Sequence, residues 1–398
     1  MTYTVFWGGR SGDARWPFSS APVAVGDRRM HRKENEMDLK QQNVLFFSRT
    51  MGMGGTSNVM IQMCKILKPK VNKMVVCSTG GPMVKTLEEM GILHIQINDV
   101  GKHDPATFIK VINQISKIIE HEEITVVHTH HRMAAFYAAI VKKRHNFILI
   151  NTSHNTFYNN KRITQFAYRN AKLIACGEMV KKNLVDYFGF NASQVTVIHN
   201  AIEKFDDEVV VDKTLKKLKE DGFYLVGNVG RFAEQKGMEY FIKSYPLIKK
   251  KTDRIKYILI GDGVDREKLE SLVNQLGIQE EVIFLGFRRD VQNVLSQVDL
   301  LVLSSLWEGL PLTPIEGFSV GKTVVATAVD GTVEVVDDSK NGYLIPAKNS
   351  EKIAEKVLYL FEHPETQKQL EREAYRTFQN EFSFEKFSEK VLNYYEKC

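Results

Sequence analysis

The chain has 398 residues, of which 43% are hydrophobic and 26% are charged, and these proportions exclude a disordered or fibrous protein. Its 54 lysines and arginines against 48 acidic residues give a formal net charge of +6. This mild excess favours anionic small molecules or a membrane surface as partners, but it is too small for a dedicated nucleic-acid-binding protein. Two or three domains are expected at this length.

Apolar runs and cysteines indicate the cell compartment. The longest apolar run, Met133 to Val141, is shorter than the roughly 20 residues that a transmembrane helix needs. The four cysteines form no CxxC pair, which argues against a zinc knuckle or a disulfide framework. The sequence therefore predicts a cytoplasmic protein with reduced thiols and without a membrane-spanning helix.

Residues 1–41 differ from the rest of the chain because they follow neither a helical nor a strand period. They include Gly8, Gly9, Gly12, Pro17 and Pro22, carry a charged stretch at 27–34, and lack the apolar region of a secretory signal. This segment is predicted to be disordered or to be an extension that begins at an upstream start site, and no function is assigned to it.

A first α/β domain is predicted over residues 42–202. Its first strand, Asn43–Phe47, is an unbroken apolar run, as is typical of a strand buried on both faces. Strands then alternate with helical patterns at Asn58–Leu67, Pro82–Met90 and Pro105–His121, which indicates a parallel sheet covered on both faces. The further strands are predicted at Lys73–Cys77, Leu93–Ile97, Thr125–His128, Phe147–Asn151 and Leu173–Cys176.

A second α/β domain is predicted over residues 222–381, after a charged stretch, 203–221, that we interpret as a linker. An amphipathic helix over residues 382–398 is predicted to pack back towards the first domain. The predicted fold class is α/β, with two doubly wound, Rossmann-like domains facing each other across a cleft that holds the ligand. The second set of strands is predicted at Tyr224–Val229, Ile255–Ile260, Val282–Leu285, Leu300–Leu303, Thr323–Ala326 and Gly342–Ile345.

Two cations stand on a glycine-bounded loop directly after the first strand of the second domain. Arg231 and Lys236 lie between Gly230 and Gly237, and the arginine fork and the lysine point charge suit a diphosphate. The alternative is that both are ordinary surface cations beside a strand end. A second glycine turn, residues 261–263, closes the next strand, where the backbone can approach a ligand closely.

A further motif, from Ser304 to Gly317, places two glutamates around a predicted helix start. Pro311 and Pro314 suit a first helical turn. The free N–H groups of that turn favour a phosphate, and the carboxylates of Glu308 and Glu316 can accept hydrogen bonds from sugar and ribose hydroxyls. The alternative is that Glu316 is a buried capping carboxylate and that Glu308 is solvated.

Together these motifs resemble the retaining glycosyltransferases of family 4, the group 1 glycosyltransferases of GT-B fold, from about Gln42 onward. The resemblance implies that Arg231 and Lys236 hold the diphosphate of a nucleotide-sugar donor. It also implies that Glu308 contacts the donor sugar and that Glu316 binds the ribose. The loop 284–288 falls where the family reads the base. The other donor-binding residues implied for the second domain are Gly230, Gly261, Phe287, Gly309, Leu310, Pro311 and Leu312.

In the first domain, the resemblance places a glycine turn, Gly54 and Gly55, near the donor phosphate, with Thr56 on the acceptor side. Two adjacent glycines alone are more often structural. His154 ends a later strand and is expected to line the acceptor side of the same cleft.

Three histidines, His128, His130 and His131, stand at the end of the fourth predicted strand. By the resemblance, His130 points into the cleft as a catalytic residue beside the transferred sugar, and His128 is buried. The residues alone leave open which of the three faces the donor. A metal site is the alternative, but no Asp, Glu or Cys lies at ligand spacing.

No metal and no other cofactor is predicted, because the chain contains no Asp-x-Asp triplet. Arg231, Lys236 and the helix start are expected to stabilise the leaving diphosphate instead. The resemblance implies retaining transfer of a hexose or N-acetylhexosamine, commonly from a UDP-sugar. It implies as acceptor a glycan or a polyprenyl-diphosphate-linked glycan of capsule, exopolysaccharide or other cell-surface polysaccharide synthesis.

Other classes of protein fit the sequence less well. A dinucleotide-dependent oxidoreductase needs G-x-G-x-x-G after the first strand. Gly52 and Gly54 supply the first pair, but the residue that should be the third glycine, Val59 or nearby, is not glycine. A GT-B sugar-nucleotide 2-epimerase and a catalytically inactive homologue that binds sugar nucleotides stay as alternatives. Turnover of a UDP-sugar without an acceptor distinguishes the epimerase.

A membrane-facing helix is predicted between Phe157 and Arg169, where aromatic and cationic residues alternate. On a helix, Ile163, Phe166 and Ala167 share one face with cations beside it, a pattern suited to an anionic leaflet. The protein is therefore expected to bind the inner face of the cell membrane peripherally. The alternative is a helix that packs this apolar face on the sheet.

Overall fold

The computed structural model describes residues 37–102 and 104–398, so most of the predicted N-terminal extension lies outside the described residues. That prediction ran to residue 41, but Leu39–Gln41 form a 3-10 turn in which Leu39 is buried. The turn is ordered because Leu39 packs in one apolar cluster with Val44 and Phe46. No helix in the described part of the chain is both long and apolar enough to cross a membrane.

The first domain is built on a parallel sheet of seven strands in the order β3-β2-β1-β4-β5-β6-β7. The six predicted strands are confirmed to within two residues, since buried parallel strands read as apolar runs. The seventh was not predicted, because it has three residues, of which only Val195 is buried, so no apolar run marks it in the sequence. The strands are β1 Asn43–Phe47, β2 Lys73–Ser78, β3 Leu93–Gln96, β4 Val126–Thr129, β5 Ile148–Ser153, β6 Lys172–Ala175 and β7 Val195–Val197.

Helices cover both faces of this sheet. The predicted helix Pro105–His121 is confirmed to the residue: Asp104 accepts a hydrogen bond from the N–H of Thr107 at 2.8 Å, and a proline occupies the first turn. The helices of this domain are α1 Gly55–Leu67, α2 Val84–Glu89, α3 Pro105–His121, α4 Arg132–Val141, α5 Lys161–Tyr168 and α6 Glu178–Lys182, the last continued by a π-helical turn, Asn183–Tyr187.

The second domain has a parallel sheet of six strands in the order β10-β9-β8-β11-β12-β13. All six were predicted to within one residue of their observed ends. The two doubly wound sheets confirm the predicted α/β fold class. The strands are β8 Tyr224–Val229, β9 Ile255–Ile260, β10 Val282–Gly286, β11 Leu300–Leu303, β12 Val324–Thr327 and β13 Gly342–Ile345.

The stretch interpreted as a linker contains a helix, α7, over Lys213–Glu220. Asp212 caps it by accepting from the N–H groups of Thr214 and Leu215, and the Leu215 side chain is fully buried in the core. The later helices are α8 Met238–Lys249, α9 Arg266–Leu276, α10 Val291–Gln297, α11 Leu312–Ser319, α12 Thr332–Val335, α13 Ser350–Glu362, α14 Pro364–Thr377 and α15 Phe384–Glu396.

The last helix, α15, packs against the first domain. Phe387, Val391 and Tyr395 lie in one apolar cluster with residues of α1 and β1. The Tyr395 hydroxyl lies 2.6 Å from Nδ1 of the buried His128 on β4. The chain therefore returns to the first domain after completing the second.

Both sheets reverse their strand order at an inner pair, β1 beside β4 and β8 beside β11. Loops that leave the carboxyl ends of such a pair diverge to opposite faces of the sheet and open a crevice between them. The loops after β1, β8 and β11 carry the glycine turn, the cation loop and the first of the two glutamates. The topology therefore brings the sequence motifs of both domains to one place.

Candidate active site

A cavity of about 600 Å³ lies between the two domains at the carboxyl ends of their strands. Residues of both domains line it. Every residue that the sequence assigned to the site lies in this lining, with the single exception of His130. The assigned lining residues are Gly54, Gly55, Thr56, His154, Gly230, Arg231, Lys236, Gly261, Phe287, Glu308, Gly309, Leu310, Pro311, Leu312 and Glu316.

The two cations of the loop after β8 have different surroundings. Lys236, in a 3-10 turn, places its Nζ 2.6 Å from Oε1 of Glu308, and only 18% of its side chain is exposed. Arg231 is exposed and has no acidic partner among the described residues. Arg231 therefore offers an uncompensated positive charge to the cavity, whereas the charge of Lys236 is shared with a carboxylate.

Glu308 is held in one orientation. Its side chain is 7% exposed and accepts hydrogen bonds from Lys236 and, at 2.7 Å, from the Ser305 hydroxyl. Its backbone N–H donates to Oδ2 of Asp330 at 3.0 Å. Glu308 is buried and has the partners that a buried carboxylate needs. The alternative of a solvated Glu308 is therefore wrong.

The loop that carries Glu308 also touches the first domain. A Cβ atom on Gly309 would lie 2.1 Å from the carbonyl oxygen of His154, so only glycine permits this approach. Leu312, at the start of α11, lies against Gly55 of the first domain. The two domains therefore touch each other directly at the wall of the cavity.

The N-terminus of α11 faces the cavity together with Glu316. The N–H groups of a first helical turn have no acceptor within the helix, and Pro311 precedes this turn. The Glu316 carboxylate makes no hydrogen bond to the described residues, so it is not a capping group. Burial raises the pKa of Glu316 to about 7, although the charge of Lys236 opposes this shift. Glu316 is thus a free acceptor at the cavity wall.

The histidines after β4 differ from the expectation. His128 is fully buried and lies between the Tyr395 hydroxyl and the Thr152 hydroxyl, at 2.6 and 2.7 Å. His131 caps α4 by accepting from the N–H of Met133 at 3.2 Å. His130 is 4% exposed and does not line the cavity, so the prediction that it points into the cleft is not met in this structure.

His154 takes the place at the cavity wall that was expected for His130. The two rings stack with their centroids 5.3 Å apart, and Nδ1 of His130 lies 3.0 Å from Nε2 of His154. His130 sits behind His154 because it stacks in turn on His128, 4.6 Å away. Burial lowers the pKa of His154 to about 4 and that of His130 well below its usual value, so both rings are neutral at pH 7.

Several residues of the site were given no individual role from the sequence, and Asp330 and Arg288 have the clearest structural functions among them. Asp330, which accepts from the N–H of Glu308, has a left-handed backbone conformation with φ of 37°. The Asp-Gly pair after β12 was the available signal, since that pair favours such turns. Arg288 lines the cavity, but its guanidinium is bound to Asp212 and Asp290, each at 2.7 Å. Through these two ion pairs, Arg288 stabilises the loop after β10.

Within residues 37–102 and 104–398, no three or more His, Cys, Asp or Glu side chains are grouped so as to hold a metal ion. The pair of His130 and His154 has no carboxylate or thiolate at ligand distance in that part of the chain. Metal independence stays a prediction.

Two family models match the chain and divide it between the two domains. Residues 53–204 match "Glycosyltransferase Family 4", and residues 211–377 match "Glycosyl transferases group 1". An uncharacterized glycosyltransferase of Methanocaldococcus jannaschii is 26% identical over 58% of this chain and 65% of its own length. The poly(ribitol-phosphate) α-N-acetylglucosaminyltransferase of Staphylococcus aureus is 24% identical over 73% of this chain and 53% of its own length. The chain thus spans less than two thirds of each.

The fold is shared with a solved glycosyltransferase from Rickettsia africae, which superposes with a TM-score of 0.79 at 23% identity, covering 89% of this chain and 98% of that one. The HepE protein of Anabaena, crystallised with UDP, superposes with a TM-score of 0.78 at 19% identity, covering 90% of this chain and all of that one. The two facing doubly wound domains, with the cavity between them, define a GT-B protein. With both family models matched in the expected order, the chain belongs to the group 1 glycosyltransferases of GT-B fold.

Proposed function

We propose that the protein transfers a hexose or N-acetylhexosamine from a UDP-sugar to a hydroxyl group of a glycan acceptor, with retention and without a metal. One observation carries this proposal: Arg231, Lys236 and the start of α11 line the same cavity as Glu308 and Glu316. Positive charge for a diphosphate and acceptors for sugar hydroxyls are thereby combined in one space. A volume of about 600 Å³ is within the usual range for a ligand of this size.

The donor base and phosphates are assigned to the second domain. HepE of Anabaena has been crystallised with UDP and with UDP-glucose, which supports a uridine nucleotide here. In the proposed pose, the diphosphate lies between Arg231 and the first turn of α11, and the ribose hydroxyls donate to Glu316. The base lies against the loop that ends β10, where Phe287 is 55% exposed.

Charge separation in the transition state determines what the site must stabilise. The bond between the anomeric carbon and the phosphate oxygen breaks, which leaves negative charge on the diphosphate and positive charge on the sugar. Arg231, Lys236 and the N–H groups of α11 stabilise the first. Glu308, next to Lys236, is the proposed acceptor for the sugar hydroxyls.

Retention is proposed without a covalent intermediate. Glu308 is ion-paired with Lys236, which makes it a poor nucleophile towards the anomeric carbon. The acceptor oxygen instead forms the new bond from the side on which the diphosphate leaves, and its proton passes to a phosphate oxygen of the leaving group. Closure of the domains keeps water out during this step.

A role in cell-surface polysaccharide synthesis, such as capsule or exopolysaccharide, is proposed for the reaction. The name of the Staphylococcus aureus relative describes transfer of N-acetylglucosamine to a poly(ribitol-phosphate), and this supports a polymeric acceptor. A polyprenyl-diphosphate-linked glycan is the proposed acceptor.

A panel of nucleotide sugars tests the proposal. Each donor is incubated with the protein without acceptor, and the release of nucleoside diphosphate is followed by chromatography. We expect release from one or a few UDP-sugars that is slow without an acceptor, whereas rapid turnover of a UDP-sugar without an acceptor would favour the 2-epimerase. Release from none of the panel, or equal rates with every base, contradicts the proposed donor class.

The affinity for UDP is expected to depend on pH through Glu316. Its pKa of about 7 means that the carboxylate is protonated below neutral pH, and the ionised form is the stronger acceptor for ribose hydroxyls. If only the ionised form binds, affinity falls by up to about tenfold for each pH unit below 7. Calorimetric titration over a pH series measures this loss.

A Glu316→Gln variant separates this effect from the titration of UDP itself. Glutamine keeps the shape of the side chain but cannot ionise, so its charge does not change with pH. We expect it to bind UDP weakly with a much flatter pH profile. Identical profiles in the two proteins would show that Glu316 does not control binding.

Membrane attachment is proposed through the surface around α5, but with a smaller apolar contribution than the sequence indicates. Ala167 is buried and Phe166 packs against Phe136, with their ring centroids 5.4 Å apart. Most of the predicted apolar face therefore packs within the domain. Tyr158 and Ile163 stay 68% and 39% exposed, beside the exposed cations Lys161, Arg162 and Arg169.

Binding to vesicles is expected to be mainly electrostatic. Each cation near an anionic surface contributes about 1 kcal/mol, and salt screens this attraction. Co-sedimentation with phosphatidylglycerol vesicles should succeed at low salt and weaken sharply at high salt. A Lys161→Ala, Arg162→Ala double variant should bind less, whereas Lys243→Ala, in the second domain, should not. Equal sedimentation with neutral and anionic vesicles contradicts the proposal.

A further inference from the structure

A second contact joins the two domains outside the cavity lining. Glu334, in the short helix α12 of the second domain, accepts hydrogen bonds from two backbone N–H groups of the first domain. The N–H of Glu178 donates to Oε2 at 2.5 Å, and the N–H of Met179 donates to Oε1 at 2.7 Å. Both carboxylate oxygens are thus used across the domain boundary.

The surroundings of Glu334 favour its charged form. Its side chain is 11% exposed, and Nε2 of His199 lies 3.4 Å from Oε2. Burial alone would raise the pKa of Glu334. The interactions with His199 and with the two N–H groups outweigh burial and lower it. The contact is therefore made by a carboxylate at neutral pH.

Gly177 makes room for this carboxylate. A Cβ atom at that position would lie 2.7 Å from Oε2 and 3.0 Å from Oε1 of Glu334. Any other residue would push the carboxylate away from the N–H groups of Glu178 and Met179. The absence of a side chain at Gly177 therefore leaves the space in the first domain that the Glu334 carboxylate occupies.

The segment that carries Glu334 also supports the loop of Glu308. Asp330, four residues before Glu334, accepts the N–H of Glu308 at 3.0 Å. Gly309 follows Glu308 and touches the carbonyl of His154 in the first domain. Residues 330–334 therefore link the domain contact to the position of the cavity carboxylate.

We propose that Glu334 is a positioning residue that holds the domains closed and, through Asp330, sets Glu308 for glycosyl transfer. This inference rests on the proposed function, because it gives closure a role in the transfer step. In the proposed pose, UDP is held mainly by residues of the second domain, and the contact of Glu334 lies outside the cavity that receives UDP. Loss of Glu334 should therefore reduce turnover much more than nucleotide affinity.

The main test compares wild type with Glu334→Ala and Glu334→Gln. Hydrogen bonds to charged groups are the strong ones, so loss of this pair should slow acceptor-independent nucleoside diphosphate release by about 10- to 100-fold in Glu334→Ala. Glu334→Gln keeps one acceptor oxygen and should retain an intermediate rate. The Kd for UDP, measured by calorimetry, should change by less than about twofold, since the contact lies outside the cavity. Glu351→Gln, an exposed glutamate of the second domain, serves as the matched control.

A second measurement does not depend on activity. Hydrogen exchange of the segment that contains the amides of Glu178 and Met179 should be slow in wild type and fast in Glu334→Ala. Gly177→Ala should reproduce both effects from the first domain, and combining it with Glu334→Ala should add little. This non-additivity identifies one shared contact.

The outcomes separate the inference from the proposed function. Unchanged amide exchange and unchanged release in Glu334→Ala overturn the inference and leave the proposed function standing. A loss of UDP affinity as large as the loss of turnover also overturns the inference, because equal losses indicate that the substitution disturbs the whole structure. If wild type releases nucleoside diphosphate from no donor, the proposed function fails, and the exchange measurement still decides whether Glu334 holds the contact.

Discussion

Replacing Arg231 with alanine is expected to lower the rate of glycosyl transfer by about 100- to 1,000-fold, because a preorganised charge at the leaving group has an effect of this size. Arg231 has no acidic partner among the described residues, so its charge is available to the diphosphate. It is exposed, and its removal should leave the melting temperature nearly unchanged. Turnover of the preferred donor and a thermal melt measure both effects.

Lys236→Ala is expected to lose activity by a similar factor and to lose stability as well. Removing one partner of a buried ion pair typically costs about 3–5 kcal/mol, and Lys236→Ala leaves Glu308 buried without its cation. Because 18% of the Lys236 side chain is exposed, we expect the loss in free energy of unfolding to lie towards the lower end of this range. Lys243→Ala, whose exposed lysine pairs with Glu239 away from the cavity, is the matched control. Near-wild-type turnover in both Arg231→Ala and Lys236→Ala would contradict the proposal that these residues bind the diphosphate.

The two glutamates are expected to separate binding from turnover. Glu316→Ala should weaken UDP by about tenfold or more, because charged hydrogen bonds to ribose contribute about 1.5–3 kcal/mol. Glu308→Gln should bind UDP nearly as wild type does and lower kcat by about 100-fold, since its contact is with the transferred sugar. Calorimetry with UDP and steady-state kinetics with the preferred UDP-sugar are measured on both variants.

The reverse pattern would exchange the two roles. If Glu308→Gln weakened UDP and Glu316→Ala spared it, Glu308 would be the ribose acceptor. A Glu362→Gln variant, at an exposed position outside the cavity lining at the end of α13, should change neither quantity. A loss of UDP affinity in that control would indicate an unspecific effect of the substitutions.

The strands were predictable because of how parallel sheets are built. A strand such as Leu300–Leu303 is buried on both faces, so it appears as an uninterrupted apolar run that ends at a loop. Helix α7 lacked such a signal. Most of its side chains are charged and exposed, and its burial depends on Leu215, which contacts the core through tertiary packing.

The cavity wall of the second domain was predictable for a related reason. Arg231, Glu308 and Glu316 stand in local motifs directly after strand ends or at a helix start, and the topology carries such positions to one edge. The position of the His130 side chain was not predictable, because it depends on neighbouring side chains that are distant in the sequence. His130 is covered by His128 on one side and by His154 on the other.

Contacts between the domains could not be predicted from the sequence. Glu334 and Glu178 are separated by more than 150 positions in the chain, and no local pattern links them. The same holds for Gly309 and His154. These pairs depend on the relative placement of two sheets, which periodicity and motif spacing do not encode.

A phosphorus NMR time course with the preferred UDP-sugar, in excess EDTA and without acceptor, tests the central claim most directly. The central claim is that this cavity breaks the bond between sugar and diphosphate without a metal. We predict that the resonances of free UDP grow with wild type and stay near background with Arg231→Ala. An unchanged spectrum that responds only to added Mn²⁺, or conversion to a second sugar nucleotide with its diphosphate intact, would contradict the claim.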